Sequence, residues 1–585
     1  MENRSENKYE AIVIGAGFGG AITGCRLAKQ FPRGRVLILE RGKRYPMGSF
    51  PRSPHDFARN FWALGDESIR RPKHVRRAVA ARGQDSLGIF DIRNYRHMDV
   101  VLGAGLGGGS LIYANVFMIP PDEVFDQRWP NSCKRSQLIP YYTVAKEVLN
   151  SRPIPASTGD PRRRIIRQEL FADVARQNGR NSDLVDINVF FGNNHQIPLD
   201  IGKQDENRYG ALQTSCVYCG ECDIGCNYHS KNTLDLNYLF VAENCYQAKI
   251  ATGHLVEKVA PVDASGHDDA QADGTHGYRV YYRNLLADRA EALTALAKRV
   301  VVSSGALGST ELLLRCKEHF RTLPRISDRL GHSYSGNGDF LSFVLGSKRP
   351  ADPNYGPVIT QRTDYNLFKD FNREHAFILE DASYPNLMAW FVEGVKPGFL
   401  WVAALRRFLH DLLVRLKLKQ SLGSIGWALD DAFTGDASYH TCLLLCMGLD
   451  KSNGVMTLDE NHQLALDWPY QDSLSLYEAV LQAGRQFKQA VQGDFFTPLL
   501  TWNWPFHKNV TVHSLGGCVL ADDPERGVTS AELKNFGQVF GYPGLYVADG
   551  AIVPTAVGAN PTATISALSE MVAEGITGTA PNAAL

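Results

Sequence analysis

Apolar runs and glycines alternate abruptly near the N-terminus. "AIVIG" (11–15) is an unbroken apolar run of strand length, the pattern of a strand buried on both faces of a parallel sheet. Residues 20–31 then follow with helical spacing, and "VLILE" (36–40) is a second buried-strand run. Strand, helix, strand in that order predicts a βαβ unit of a parallel sheet. Later, "VVLGAGLGGGSLIYANVFM" (100–118) is a strand leading into a glycine-rich segment too flexible for a helix before about Ser110. "VVVSSGALGS" (300–309) has the order strand, turn, helix. "PGLYVADGAIVPTAVGANPTATISALSEMVAEGI" (543–576) reads as strand, acidic turn, loop and helix, with Asn560 as the expected N-cap and Pro561 in the first helical turn.

Between 331 and 504 the glycine motifs stop and aromatic residues interleave with apolar strands, which predicts a separate lobe. Inside it, 398–423 places Leu405, Phe408, Leu409, Leu412 and Leu416 on one helical face and Arg407, Arg415 and Lys419 on another. A basic amphipathic helix of this kind either packs on its lobe with a solvated cationic face or lies on an anionic membrane.

Composition narrows the class. A chain of 585 residues is too long for one small core, so two or more lobes are expected. Lys+Arg and Asp+Glu balance at 62 each, so no global field recruits nucleic acid. The 11 cysteines are odd in number and four crowd into 216–226, unlike a secreted disulfide framework. "MENRSENKYEAIVIG" has no apolar stretch ahead of its first strand, and no apolar run approaches membrane-spanning length. The expected location is the cytoplasm, with contact at a membrane surface left open.

The first glycines carry chemistry. Gly15, Gly17 and Gly20 complete G-x-G-x-x-G between strand and helix, where glycines permit a tight turn and let backbone approach a pyrophosphate at the helix N-terminus. Glu40, twenty residues past Gly20, ends the second strand, where a carboxylate binds ribose hydroxyls. This pair predicts a dinucleotide and does not distinguish NAD from FAD.

The motifs "GAGFGG", "GAGLGGGSL", "VSSGALGSTELLL" (302–314), "HSLGGC" (513–518) and "YVADGAIVPTAVGANPTATISAL" (546–568), in this order, resemble the glucose–methanol–choline oxidoreductase family, in its cholesterol-oxidase-like branch. The resemblance implies an α/β fold: a Rossmann-type FAD-binding domain over 1–330 and 505–585, with a discontinuous α+β substrate-binding domain over 331–504. It implies that Gly15, Gly17, Gly20 and Glu40 hold the ADP half of FAD and that Gly108, Gly109 and Ser110 run along the flavin. Asp549 and Gly550 are then expected at the ribityl–phosphate, and Asn560, Pro561 and Thr562 at the flavin N1–C2=O edge. Tyr113 stands where cholesterol oxidases have Asn, with Asn115 two residues later. His513 and Asn560 become the candidates for receiving and orienting a substrate hydroxyl while a hydride goes to flavin N5. Glu380, in "HAFILEDASYPNLMAWF" (375–391), is either the proton-moving glutamate of that branch, a buried structural carboxylate or a rim residue.

"SCVYCGECDIGC" (215–226) remains. Cys216, Cys219, Cys222 and Cys226 have the C-x2-C-x2-C-x3-C spacing of bacterial ferredoxins. An iron–sulfur cluster, a zinc site and plain packing are all open readings, although zinc usually takes two separated C-x2-C pairs. Asn227 replaces the proline that follows the ferredoxin run.

The functional expectation is FAD-dependent oxidation of a bulky apolar alcohol, a sterol or other hydroxysteroid first, with dioxygen, a quinone or a carrier protein as electron acceptor. The alternatives are a dehydrogenase acting on a long-chain, terpenoid or sugar alcohol and passing electrons through an iron–sulfur cluster, and a flavin-binding protein without catalysis.

Overall fold

In the computed structural model, which describes residues 8–63, 86–287, 291–394, 412–413, 416, 436–503 and 505–585, the two apolar runs become the strands Lys8–Ile14 and Val36–Glu40. They pair in parallel, Ala11 with Val36 and Ile14 with Leu39. Every residue of Val36–Glu40 is buried, as expected of a sheet covered on both faces. Lys249–Thr252 continues the parallel sheet on one side, and Glu291–Val302 and then Leu545–Val547 on the other. His254–Pro261 and Tyr278–Asn284 add antiparallel strands to complete seven. The helix Phe18–Gln30 packs against the C-terminal helix Thr562–Thr577, where buried Arg26 forms a two-pronged ion pair with fully buried Glu570. Ile14, Glu40, Val302 and Val547 lie at the carboxyl ends of their strands, the edge on which open parallel sheets bind ligands.

A second sheet has six strands, all antiparallel: Phe495–Pro498, Phe340–Leu345, Cys442–Gly448, Phe377–Ala382, Gln361–Tyr365 and Ser182–Leu184. Its edge strand Ser182–Leu184 comes from before residue 330, so the sheet draws on both sides of that expected boundary. The helix Leu474–Ala490 covers one face. On the other, strand alternation brings Leu341, Leu443 and Leu445 together with Ala382. Asn509–Thr511 then leaves this lobe to pair with Met98–Gly103 of the first, and so delivers the next residues to the junction between lobes.

Arg407, Arg415 and Lys419 lie outside the described residues. Among the described residues no helix is long and apolar enough to cross a membrane.

Candidate active site

The two sheets meet over a cavity of about 500 Å³ that runs from the first glycine turn to the apolar face of the second sheet. Gly15 has φ +97°, and a Cβ there would lie 2.3 Å from the Ser303 carbonyl oxygen; one at Gly20 would lie 1.9 Å from that of Gly15. These two glycines let helix and strands pack. Gly17 is different. Its φ is −76°, and the nearest atom to an added Cβ is Gly108 Cα at 4.0 Å, so Gly17 faces the cavity. Gly109 likewise has nothing within 4 Å of an added Cβ. The helix beginning at Phe18 has no side-chain cap and no acid in its first turn, so its leading amides remain available to a phosphate.

Glu40 also lines the cavity, its carboxylate accepting from the backbone N–H of Ala16 (2.9 Å) and Gly42 (2.8 Å). Burial raises its pKa against the pull of those amides. Each oxygen keeps a lone pair for a ribose hydroxyl. Asp549 accepts from Gly305 N–H, Ser309 Oγ–H and Ala551 N–H, and burial pushes it up to about 6. Its carboxylate thereby ties the strand-end loop to the helix Gly305–Leu314, and Gly550 follows it along the cavity. Ser110 is not among the lining residues: its hydroxyl donates to the Gly107 carbonyl and accepts from Leu234 N–H. Gly108 and Gly109 meet the cavity instead.

His513, Asn560, Pro561 and Thr562 line the same cavity, distant in sequence from the glycine turn yet brought to it by the crossover at Asn509–Thr511 and by the helix Thr562–Thr577. His513 Nδ1 lies 2.7 Å from Asp339 Oδ1. A carboxylate oxygen accepts, so Nδ1 carries the hydrogen, and in the neutral ring Nε2 is the acceptor. Asp339 is fixed in turn: its Oδ2 accepts from Thr511 Oγ1 (2.8 Å) and Val512 N–H (3.0 Å). Asp339 was not legible as a site residue, and neither was Asn337, whose amide accepts from Val557 and Gly558 N–H and donates to Ala559 C=O. Asn337 thus clamps the three residues ahead of Asn560. The sole sequence signal was the turn-like "NGD" at 337–339.

Asn560 is not the N-cap. The helix begins at Thr562 with Pro561 in the cap position, and the Asn560 amide reaches across the lobes to donate toward Glu380 Oε2 (3.4 Å). Its Oδ1 and Glu380 Oε1 are buried without a protein partner. Glu380 is fully buried on the strand face it shares with Ala382, and desolvation raises its pKa well above the ordinary 4.5, so the neutral acid is favoured. A group bound more tightly by protons in the folded chain costs stability as pH rises above its unfolded value. Glu380→Gln is therefore expected to unfold at the same temperature as the unaltered protein near pH 4. It should gain on that protein as pH rises toward 8, by up to about 1.4 kcal/mol per pH unit where the slope is steepest. A difference in thermal unfolding that stays constant with pH would refute the buried neutral acid.

Tyr113 and Asn115 line the cavity as well, Asn115 with φ +71°; the Tyr113 hydroxyl and both Asn115 amide atoms are buried without a protein partner. The free amides ahead of the helix Phe18–Gln30, the glycine-walled turn and the open lone pairs of Glu40 fit a large polar dinucleotide cofactor such as FAD.

Cys216, Cys219, Cys222 and Cys226 are free thiols that line a second, smaller cavity. Burial, then the neighbouring cysteines, push the Cys219 thiol up to about 12. Among the described residues no group of three or more His, Cys, Asp or Glu side chains is placed to hold a single metal ion.

Sequence models described as GMC oxidoreductase match residues 9–317 and 450–569. The chain is 26% identical to a cholesterol oxidase of Acinetobacter baumannii over 96% of its own length and 93% of that protein's. It is 28% identical to a cholesterol oxidase of Mycobacterium tuberculosis (strain ATCC 25618 / H37Rv), over 97% and 90%. Similar solved structures include a pyridoxine 4-oxidase from Mesorbium loti (TM-score 0.57, 14% identity, 97% of this chain and 98% of that one). A formate oxidase is similar to the same degree (TM-score 0.58, 14% identity, 98% of each). At that identity the two structures share the fold.

Proposed function

From the premise that the chain belongs to the GMC oxidoreductase family, and is an FAD-dependent oxidoreductase acting on alcohols, we propose that it oxidises the CH–OH group of a bulky apolar alcohol, a hydroxysteroid or sterol first. The observation that carries this reading is the shared cavity. The His513–Asp339 pair and Asn560 line it together with the apolar Leu341, Leu443 and Leu445 of the second sheet. An apolar wall of this kind favours a rigid hydrocarbon skeleton and offers few partners to the hydroxyls of a sugar. Near full-length likeness to two proteins named cholesterol oxidase supports the same substrate class.

Bound FAD supplies the hydride acceptor. In this reading His513 takes the hydroxyl proton at Nε2, Asp339 holds the imidazole in the tautomer that can do so, and Asn560 hydrogen-bonds the same hydroxyl. The helix Thr562–Thr577 has no side-chain cap, so its free amides and dipole favour negative charge beside Pro561 and Thr562. Dioxygen is the first acceptor to test, since the relatives are named oxidases. The test is anaerobic mixing of purified protein with 3-hydroxysteroids, long-chain alcohols and sugars. Flavin absorbance should bleach within seconds with a hydroxysteroid at micromolar concentration. Bleaching by a sugar or short alcohol and by no hydroxysteroid would reject the substrate class while leaving the family assignment untouched.

A further inference from the structure

We propose that Cys216, Cys219, Cys222 and Cys226 together hold one iron–sulfur cluster in the wall shared with the cofactor cavity. The run C-x2-C-x2-C-x3-C matches a ferredoxin's, but in two-cluster ferredoxins the fourth cysteine serves the other cluster. Here all four line the same cavity, so one site has its full thiolate set. Zinc usually takes two separated C-x2-C pairs rather than one continuous run, so the spacing favours a cluster.

The backbone is arranged for thiolates. Ser230 N–H donates to Cys226 Sγ (3.2 Å) and Tyr218 N–H to Cys216 Sγ (3.5 Å), the kind of hydrogen bond that tunes cluster sulfurs. Gly220 and Gly225, at φ +71° and +93°, shape the turns between ligands. An added Cβ would lie 2.4 Å from the Asn354 carbonyl oxygen at the first and 2.0 Å from the Phe50 ring at the second, so the loop is held from both lobes. The open space among the thiols is about 10 Å³, so seating a cluster spreads them; Cys219 and Cys226 are only partly buried and are the ones free to move outward.

A second observation points to an anionic group at this place. Lys231 is 1% exposed and also lines the cysteine cavity. Its Nζ donates to the carbonyls of Leu111 (3.1 Å), Tyr113 (2.9 Å) and Cys222 (2.8 Å), and among the described residues no carboxylate forms an ion pair with it. A buried cation whose partners are all neutral carbonyls is costly unless a negative charge lies close by. Cys222 and Cys226, and after them the buried Asp223 and Asp235, are the groups whose charge acts on it, and thiolates on a cluster add to that charge. The same lysine links the cysteine loop to Tyr113, and Asp223, the residue after Cys222, lines the cofactor cavity.

The site is independent of which alcohol is oxidised. Full-length protein purified without oxygen should contain iron and acid-labile sulfide in equal amounts besides FAD, and should give a low-temperature EPR signal after dithionite reduction. Cys222→Ser and Cys226→Ser should each lose that iron and sulfide and keep FAD, while Cys245→Ser, at an exposed thiol outside the run, should keep both. The proposal fails if unaltered protein lacks iron and sulfide even after anaerobic reconstitution with ferrous iron and sulfide, if zinc is found in their place, or if the serine variants retain full iron. Should a serine variant fail to fold, the iron content of the unaltered protein still decides.

Discussion

Gly17→Val is expected to yield folded protein that carries no FAD and bleaches with no alcohol. The expectation rests on a contrast among glycines of one motif. At Gly15 the backbone has φ +97° and an added Cβ would collide with Ser303, while at Gly20 it would collide with Gly15; substitution there attacks the packing of helix on sheet. At Gly17 the backbone is ordinary for any residue, and an added Cβ meets no protein atom closer than 4.0 Å. A valine side chain would instead occupy the space in front of the free amides of the helix Phe18–Gln30, where a pyrophosphate must lie. The variant should keep the far-ultraviolet circular dichroism of unaltered apoprotein and elute as the same species on gel filtration. Its flavin-to-protein ratio should stay near zero, even after incubation with excess FAD. Flavin binding at the unaltered level would remove the pyrophosphate from this turn. Gly15→Val, run alongside, should be insoluble or unfolded, and so separates loss of cofactor from loss of fold.

The first lobe was readable because its chemistry is local. The run "AIVIG", the glycines at fixed offsets and Glu40 at the end of the next strand all occur within thirty residues, and each turn type leaves a mark on residue choice. The proposed catalytic end was readable only through the likeness to a family, since His513 and Asn560 are 47 residues apart and neither stands in a pattern of its own. What escaped was whatever depends on contacts across the lobes. Asp339 resembles any acidic turn residue until the crossover at Asn509–Thr511 lays Thr511, Val512 and His513 against it. Asn560 read as a helix cap because Asn before Pro favours that role. Tertiary structure instead turned its amide toward Glu380, 180 residues away. Glu380 itself sits in an apolar strand where burial could be inferred but its partner could not. Ser110 was expected at the cofactor only through the family resemblance, whereas its hydroxyl closes the turn it stands in. Arg407, Arg415 and Lys419, expected on an amphipathic helix, fall outside the described residues, and their place toward solvent or lipid stays an expectation.

His513→Ala should retain FAD and lose flavin reduction by about 10²–10⁴-fold, the scale on which a positioned general base contributes. His513 stands at the cavity away from the glycine turn, so cofactor content is the control and the rate of anaerobic bleaching is the readout. Reduction at the unaltered rate would refute its role. A histidine that merely packs beside the flavin gives no reason for its neighbour to matter, and Asp339 tests that distinction. Asp339→Asn keeps size and shape and keeps an oxygen for Val512 N–H, yet an amide can present either a donor or an acceptor to His513 Nδ1. Where it donates, the imidazole hydrogen moves to Nε2, and the nitrogen facing the cavity can no longer accept the hydroxyl proton. The Asn variant should therefore slow bleaching on the order of a hundredfold at saturating alcohol, a misplacement effect, with little change in the concentration needed for half-maximal rate. Asp339→Glu, which preserves the carboxylate, should recover part of that loss. If Asp339→Asn instead weakens substrate binding and leaves the maximal rate unchanged, the pair does not hold a proton acceptor, and the base must be sought among the other groups around the cavity.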